Sequence, residues 1–394
     1  LAGAGLVTAS IFLLVNWLPF PSPFALAPCI GTALLIAYGE GTRVGRVLSL
    51  APLRWIGLVS FALYLWHWPI ITLYRETTGD RLEFLETAGL VAASFVAAAV
   101  SYYAVEQPAR SAIRAWSSRK AVAVGASATI VMVVASLTLA LSADRIWAIG
   151  TEADRIVRYQ NYKDWEPGRE QKISSSCFIE ELGDELDQTQ CLTPATGKRN
   201  VLLFGDSHAE MYGAALRKAY PNVHWLQATH FGCPPVSDGW ANPGCSAMVS
   251  MVLGGIVERG EIDSIVLADR WRLDLMPKLE ATITLIKAKG IDVTVIGPVP
   301  EYQGSFPVIL ARATQNGNTG SVREFLNPEI TTIDRAVRAT AERAGARYHS
   351  TYDSLCPAAG DCELLAPDSV PMAFDYGHLT LSGASYAIRD LAAP

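Results

Sequence analysis

Val201-Leu-Leu-Phe-Gly-Asp-Ser-His208 places four consecutive apolar residues directly before a glycine, an aspartate and a serine. A short apolar run that ends in a glycine-containing turn is typical of a buried strand. The pattern predicts a strand at 200–204, a tight turn at Gly205-Asp206 and a helix that starts near Ala209. Ser207 would then lie at the carboxyl end of a strand, which is where ligands bind in open parallel sheets.

The chain beyond this strand alternates apolar runs with helical patterns. Runs rich in Val, Ile and Leu that alternate with helices predict a parallel sheet with helices on both faces. Residues 200–394 are therefore expected to form an α/β domain. Segment 300–327 is expected to be an irregular insertion that covers a cleft. The further strands are predicted at 223–227, 264–268, 292–296 and 347–350, and the helices near 209–219, 246–259, 276–289, 328–344 and 382–392.

The chain before residue 144 has a different composition. Residues 121–143 carry no charge, and at about 1.5 Å per residue they are long enough to cross a hydrocarbon core of roughly 30 Å. Four more charge-free stretches precede it, and short charged loops separate all five. We therefore expect a transmembrane α-helical bundle. Polar residues 144–199 are interpreted as a linker with a small extension. The other charge-free stretches are 1–18, 24–39, 57–74 and 88–105.

The loops between these stretches predict the orientation in the membrane. Most of the loop Lys and Arg residues lie in 40–54 and 106–120, and few lie in 19–23 and 75–87. Positive charge favours the cytoplasmic side, so everything after Asp144 is expected outside the cytoplasm. The sequence begins inside an apolar stretch without a Met, and we interpret it as a fragment that lacks its N-terminal part.

Cysteine usage agrees with this orientation. Of the seven cysteines, Cys29 lies in an apolar stretch and the others lie in the polar half. An even set outside the cytoplasm indicates disulfides, and among the 15 possible connectivities nearest-neighbour pairing is favoured. A zinc site is the alternative, but no pair has the two-residue spacing of a zinc knuckle, and no metal is predicted. The close pairs are Cys177/Cys191, Cys233/Cys245 and Cys356/Cys362.

Ser207 can be interpreted in two ways. At a helix start it can act as a plain N-cap, or it can attack an acyl carbon if a base lies within hydrogen-bond reach. Asp375-Tyr-Gly-His378 offers such a base, with a carboxylate three residues before it that can orient the ring. The pattern favours Ser207 as nucleophile, His378 as base and Asp375 as its partner. The remaining histidines are interpreted as ordinary polar residues: His208, His224, His230 and His349, apart from His67 in the membrane half.

These two motifs resemble the SGNH (GDSL-like) superfamily of hydrolases and acetyltransferases. The resemblance covers roughly 200–394, with Gly205-Asp206-Ser207 near its start and Asp375-x-x-His378 near its end. It implies an α/β fold and the Ser–His–Asp roles given above.

The resemblance departs at the oxyanion hole. Such proteins commonly supply a glycine and an asparagine from strand ends, but here the third strand ends Leu267-Ala-Asp-Arg-Trp271. Gly232 is the candidate for one backbone amide. Arg270 or Trp271 is the candidate for the missing side chain, and the alternative is that both only shape the cleft.

The membrane half resembles the final helices of acyltransferase family three. Three stretches carry this resemblance: Leu53–Gly57, Ser60-Phe-Ala-Leu-Tyr-Leu-Trp-His-Trp-Pro69 and Ser101–Arg110. It implies that 1–110 are the last helices of such a domain, and that 111–143 are a cytoplasmic loop and an additional span. His67 inside an apolar stretch is costly unless partnered, so it is a candidate functional residue, with an interhelical hydrogen bond as the alternative.

Together the halves resemble bacterial surface-polysaccharide O-acetyltransferases, of which those acting on lipopolysaccharide O-antigen are the best known. The resemblance implies a multi-pass protein of the bacterial inner membrane, in contact with membrane lipid, with its second domain in the periplasm. It implies acetyl-CoA as the acyl donor, a cell-surface glycan as the acceptor and no bound cofactor. The alternatives are an extracytoplasmic carbohydrate esterase with the same triad and a non-catalytic domain that presents glycan. A net charge of −6 gives no reason to expect a nucleic acid.

Overall fold

The computed structural model of the protein describes residues 2–13, 23–78, 82–146, 151–164, 177–180, 186–237, 243–357 and 361–394. The chain divides into two units, Leu1–Leu141 and Ser142–Pro394. The predicted linker at 144–199 therefore falls in the second unit, and parts of it lie outside the described residues.

Described elements of the first unit are helical, and the last of them continues a few residues beyond it. A π-helical turn, Ser101–Glu106, joins two of these helices. There the Nε1 of Trp55 donates a hydrogen bond to the Tyr103 hydroxyl, 3.2 Å away. The helices are α1 (Ala2–Leu13), α2 (Leu26–Tyr38), α3 (Arg43–Leu48), α4 (Ala51–Thr78), α5 (Phe84–Val100), α6 (Gln107–Arg114) and α7 (Ser118–Ile146).

Within the residues that the structure describes, three helical segments are long and apolar enough to cross a membrane. They are Ala51–Arg75, Phe84–Arg114 and Ser118–Ser142, and they include most of the last three predicted spans. The first two predicted spans are represented by α1 and α2, which have 12 and 13 residues. Residues 1 and 14–18 of the first predicted span lie outside the described residues.

The second unit is built on one parallel sheet. Among the described residues it has six strands in the order β1-β3-β2-β4-β5-β6, and every neighbouring pair is parallel. The chain goes from β2 to β3 on one side and then returns to β4 on the other side, so a crevice opens at the carboxyl end of β2. The strands are β1 (Phe178–Ile179), β2 (Arg199–Gly205), β3 (Val223–His230), β4 (Ser264–Ala268), β5 (Asp292–Ile296) and β6 (Arg347–His349).

Helices cover both faces of this sheet. Side chains of β2 alternate between two cores, with Leu202 and Phe204 in one and Val201 and Leu203 in the other, all at most 1% exposed. This two-sided burial explains why the strand reads as a continuous apolar run. The helices are α8 (Thr151–Val157), α9 (Gln188–Cys191), α10 (Ser207–Glu210), α11 (Gly213–Ala219), α12 (Pro243–Met251), α13 (Met276–Lys287), α14 (Phe306–Gln315), α15 (Ile330–Arg343), α16 (Thr351–Leu355) and α17 (Leu381–Ala387).

The three close cysteine pairs form disulfides with nearest-neighbour connectivity. Cys177–Cys191 joins the start of β1 to α9, and Cys233–Cys245 joins the segment after β3 to α12. Cys356–Cys362 closes the segment after α16. All six cysteines of this unit are paired in these three disulfides, which leaves none of them as a zinc ligand and confirms the expected disulfides.

Several features of the second unit differ from the prediction, among them helices α8 and α9 within the predicted linker 144–199. Segment 300–327, expected to be irregular, contains α14 and a 3₁₀ helix at Thr319–Phe325. Pro307 reads as a breaker, but it lies in the first turn of α14, where its missing N–H costs nothing. Strand β1 was also not predicted. Its two residues are too few to show an apolar period, and only pairing with β3 makes them a strand.

Candidate active site

Ser207 lies at the carboxyl end of β2, at the start of α10. A glycine is required two residues before it, at Gly205, because a Cβ there would lie 1.8 Å from the backbone oxygen of Ala268 on β4. The N-cap of α10 is Asp206, whose Oδ1 accepts a hydrogen bond from the His208 amide at 2.8 Å. The interpretation of Ser207 as a plain N-cap is therefore wrong, and its hydroxyl is available to another partner.

That partner is His378. Its Nε2 lies 2.9 Å from the Ser207 Oγ, and its Nδ1 lies 2.7 Å from Oδ2 of Asp375. Because a carboxylate can only accept, Nδ1 carries the hydrogen and Nε2 has its lone pair toward the serine hydroxyl. This is the tautomer that a general base needs. The structure thus brings all three predicted residues together.

Asp375 orients the ring through a local turn. Its Oδ1 accepts hydrogen bonds from the amides of Gly377 at 3.0 Å and of His378 at 2.7 Å, which leaves Oδ2 for the imidazole. Burial alone would raise the pKa of Asp375. The hydrogen bonds and charge of His378, with the Gly377 amide, outweigh burial and lower that pKa, so the carboxylate stays ionised.

Aromatic rings hold the other face of His378. Phe374 stacks on the imidazole with centroids 5.8 Å apart, and Tyr162 stacks on Phe374 at 5.2 Å. The Tyr162 hydroxyl also accepts a hydrogen bond from the Leu381 amide at 2.9 Å. Tyr162 belongs to the 3₁₀ helix Arg158–Asp164, so residues well before the sheet complete the surroundings of the histidine.

His208 belongs to the site, contrary to its interpretation from the sequence as an ordinary polar residue. It is 4% exposed, its ring lies 4.5 Å from that of His378, and its Nε2 is 3.3 Å from the Tyr376 hydroxyl. Burial, followed by the charges of His378 and Arg270, holds the pKa of His208 well below its usual value, so it stays neutral. Its position directly after Ser207, in the first turn of a helix, was the sequence signal.

The two oxyanion-hole candidates have different surroundings. The guanidinium of Arg270 binds both carboxylate oxygens of Glu301, at 2.8 and 2.9 Å, and lies 4.5 Å over the ring of Tyr376. Those hydrogen bonds raise the pKa of Arg270 and direct its donors to Glu301. Gly232 has φ +61°, a left-handed conformation that glycine adopts readily, and it follows the exposed Phe231.

A cavity of about 180 Å³ opens over the serine. Ser207 and His378 line it together with Phe178, Phe231 and Phe374. The apolar walls suit an acyl chain or the face of a sugar ring, and charged side chains at the edge suit hydroxyl groups. Those charged residues are Lys163, Glu180 and Glu210.

The membrane-half candidate, His67, lies on α4. Its Nδ1 is 2.8 Å from the backbone oxygen of Tyr64 and 3.1 Å from that of Leu63. Since carbonyl oxygens only accept, Nδ1 donates to its own helix, which satisfies one polar atom of the ring locally.

Parts of this chain are similar in sequence to known proteins. The family model described as "SGNH domain (fused to AT3 domains)" matches residues 176–393. BcsY of Komagataeibacter xylinus, named a membrane-bound transacylase, is 35% identical over 106 residues, which are 27% of each chain. The peptidoglycan O-acetyltransferase OatA of Listeria monocytogenes is 41% identical over 68 residues, 17% of this chain and 11% of that protein. The chain thus spans about a quarter or less of these relatives.

One solved structure has the same fold as the second unit. It is the periplasmic domain of a lipopolysaccharide acetyltransferase from Salmonella ser. Paratyphi A, with a TM-score of 0.50 and 22% identity. The alignment covers 59% of this chain and 94% of that domain. It confirms the predicted α/β fold, and the family model shows that this fold is of the SGNH type.

Proposed function

The chain belongs to the family of SGNH domains that are fused to AT3 domains, and we propose that it transfers an acetyl group to a hydroxyl of a cell-surface polysaccharide. The observation that best supports this proposal is the 2.9 Å contact between Ser207 Oγ and His378 Nε2, with Nδ1 held by Asp375. The names of OatA and of the Salmonella domain support a bacterial surface glycan, such as lipopolysaccharide O-antigen, as the acceptor.

In the first half of the reaction, Ser207 Oγ attacks the carbonyl carbon of the acyl donor. His378 Nε2 takes the hydroxyl proton as the new C–O bond forms, and then gives it to the leaving group. The ionised Asp375 stabilises the imidazolium that exists between these steps. The backbone amides of Ser207 and Gly232 are the proposed donors to the oxyanion.

In the second half, a sugar hydroxyl attacks the acetyl ester of Ser207. His378 Nε2 removes the proton from that hydroxyl and returns it to Ser207 Oγ when the ester bond breaks. Water in place of the sugar would give hydrolysis by the same steps. The aromatic walls of Phe231 and Phe374 favour a sugar, because a ring face can pack against them while its hydroxyl points to the histidine.

The proposed location of this chemistry is the outer side of a bacterial inner membrane. Three apolar helices support membrane association, and three disulfides support an oxidising compartment for the second unit. Acetyl-CoA is a cytoplasmic donor, so we propose that a membrane domain passes the acetyl group outward before Ser207 receives it.

The test is acetylation of surface glycan in cells that make the full protein or its Ser207→Ala variant. Ser207→Ala should abolish the acetyl signal on the polysaccharide while the protein accumulates normally. Ser250→Ala is the matched control, because Ser250 is an exposed residue of α12 and should leave acetylation unchanged. Undiminished acetylation in Ser207→Ala cells would refute the proposal.

A further inference from the structure

Two buried carboxyl groups lie side by side behind the serine. The register of β2 and β4 pairs Gly205 with Ala268, so the next residue on each strand, Asp206 and Asp269, follows the same sheet edge. Asp206 is 4% exposed and Asp269 is 3% exposed. The close approach at Gly205 brings these strand ends together, and the two carboxyl groups are within hydrogen-bond reach of each other.

Asp206 acts only as an acceptor. Its Oδ1 accepts from the His208 amide at 2.8 Å, and its Oδ2 accepts from the Arg270 amide at 3.2 Å. These bonds connect the start of α10 to the loop after β4. They also require that both oxygens of Asp206 keep lone pairs toward an N–H group, which is the arrangement of an ionised carboxylate.

Asp269 has the opposite surroundings. Within the described part of the chain, neither of its buried oxygens meets an N–H or O–H donor. The polar side chain beside it is Asp206, which is itself an acceptor. Two ionised carboxylates in a buried site repel each other, and an unpaired buried charge is costly. A single proton on Asp269 removes both problems, because the protonated acid can donate to Asp206.

We propose that Asp269 is a positioning residue that keeps a proton and donates a hydrogen bond to Asp206, and that this hydrogen bond holds the turn presenting Ser207. The positioning role rests on the proposed function of Ser207, whereas the shared proton does not. Asp269 acts through Asp206 and the His208 amide, and it is not one of the residues that line the cavity over Ser207.

The charges around the pair agree with one shared proton. Burial and the neighbouring Asp206 raise the pKa of Asp269 well above its usual value, although Arg270 and Arg272 oppose this. Burial also raises the pKa of Asp206, against the amides of Arg270 and His208 and the charge of His378. Asp206 has the donors and Asp269 has none, so the proton belongs on Asp269.

The proton makes stability depend on pH with a defined sign. An unfolded aspartate releases its proton near pH 4, but the folded protein retains the one on Asp269. The stabilisation is therefore complete below about pH 4 and is lost as pH rises toward the raised pKa. Between about pH 4 and the raised pKa of Asp269, the thermal midpoint of Asp269→Asn should rise relative to that of the wild type, by about 3–5 °C for each pH unit.

The experiment compares Asp269→Asn, Asp269→Ala and Asp206→Asn in the full chain, purified in detergent. Thermal unfolding is followed between about pH 4 and pH 8, and a fluorescent phosphonate measures how fast Ser207 is labelled. An asparagine at 269 can still donate to Asp206, so labelling should stay within about threefold of the wild type. Alanine removes the donor, and labelling should slow about tenfold or more. In Asp206→Asn, an NH₂ group would face the amide N–H of His208 or of Arg270. Two donors cannot form a hydrogen bond, so labelling of Ser207 should be lost.

Each outcome decides the proposal. The proposal is supported if Asp269→Asn retains labelling of Ser207 and Asp269→Ala loses it. The difference in thermal midpoint between Asp269→Asn and the wild type should also widen as pH rises. A constant gap, or equal damage from asparagine and alanine at 269, would overturn it. If Ser207 is not labelled even in the wild type, the proposed function fails, but the pH dependence of the gap still tests the shared proton.

Discussion

Asp375→Asn is the sharpest test of the site, because the two side chains have the same shape. The asparagine oxygen can still accept from the amides of Gly377 and His378, so the turn at 375–378 should survive. Its NH₂ group, however, replaces the oxygen that lies 2.7 Å from Nδ1. Nδ1 must then accept, which moves the hydrogen to Nε2, where it faces Ser207 Oγ.

The expected loss follows from that change of tautomer. A hydrogen bond to a charged group contributes about 1.5–3 kcal/mol, and the wrong tautomer adds to its loss. In a serine–histidine–aspartate site the total effect is roughly 10³- to 10⁴-fold in rate, or about 4–5.5 kcal/mol. We predict a loss of this size in the formation of acyl-Ser207, and a decrease in thermal midpoint of no more than about 10 °C.

The assay is release of chromophore from an aryl acetate by the full chain in detergent at neutral pH. Asp368→Asn is the control, because Asp368 is an exposed carboxylate that accepts from the Ser382 hydroxyl, and its rate should match the wild type. A rate for Asp375→Asn within tenfold of the wild type, while Ser207→Ala is inactive, would refute the assigned role of Asp375.

Three other predictions concern the surroundings of the triad. Tyr162→Phe removes the acceptor of the Leu381 amide and should cost about 1–3 kcal/mol, seen as a lower thermal midpoint; an unchanged midpoint would count against that contact. Phe231→Ala should raise the KM for a glycan acceptor about tenfold, near 1.4 kcal/mol, without slowing acylation of Ser207, and slower acylation would contradict this. His208 is buried and neutral, so its contribution to stability is lost as pH falls below about 6.5. The thermal midpoint of His208→Gln should therefore decrease less steeply below about pH 6.5 than that of the wild type, and an equally steep decrease would contradict this prediction.

Local chemistry explains which features of the second unit are readable in the sequence. Strand β2 is predictable because both of its faces are buried, which requires a continuous apolar run. The turn that joins Asp375 to His378 is predictable because its hydrogen bonds connect residues two and three apart. Nearest-neighbour disulfides are favoured for a similar reason, since each closes a short segment.

The contacts around His378 were decided by the fold alone. Tyr162 reaches Phe374 across more than 200 residues, and His208 reaches Tyr376 across 168. No apolar period marks such contacts, because each depends on where several elements pack around the sheet. The sequence also left Arg270 as an oxyanion candidate, and only the fold shows its guanidinium on Glu301.

The sequence by itself determined strands β2 to β6, the serine at a strand end and the histidine–aspartate pair. These depend on burial patterns and on bonds between near neighbours. Tertiary structure alone brought His378 within 2.9 Å of Ser207, 171 residues away, and set Asp206 beside Asp269. The physical reason is that both depend on the register and crossover order of a parallel sheet, which long-range pairing fixes.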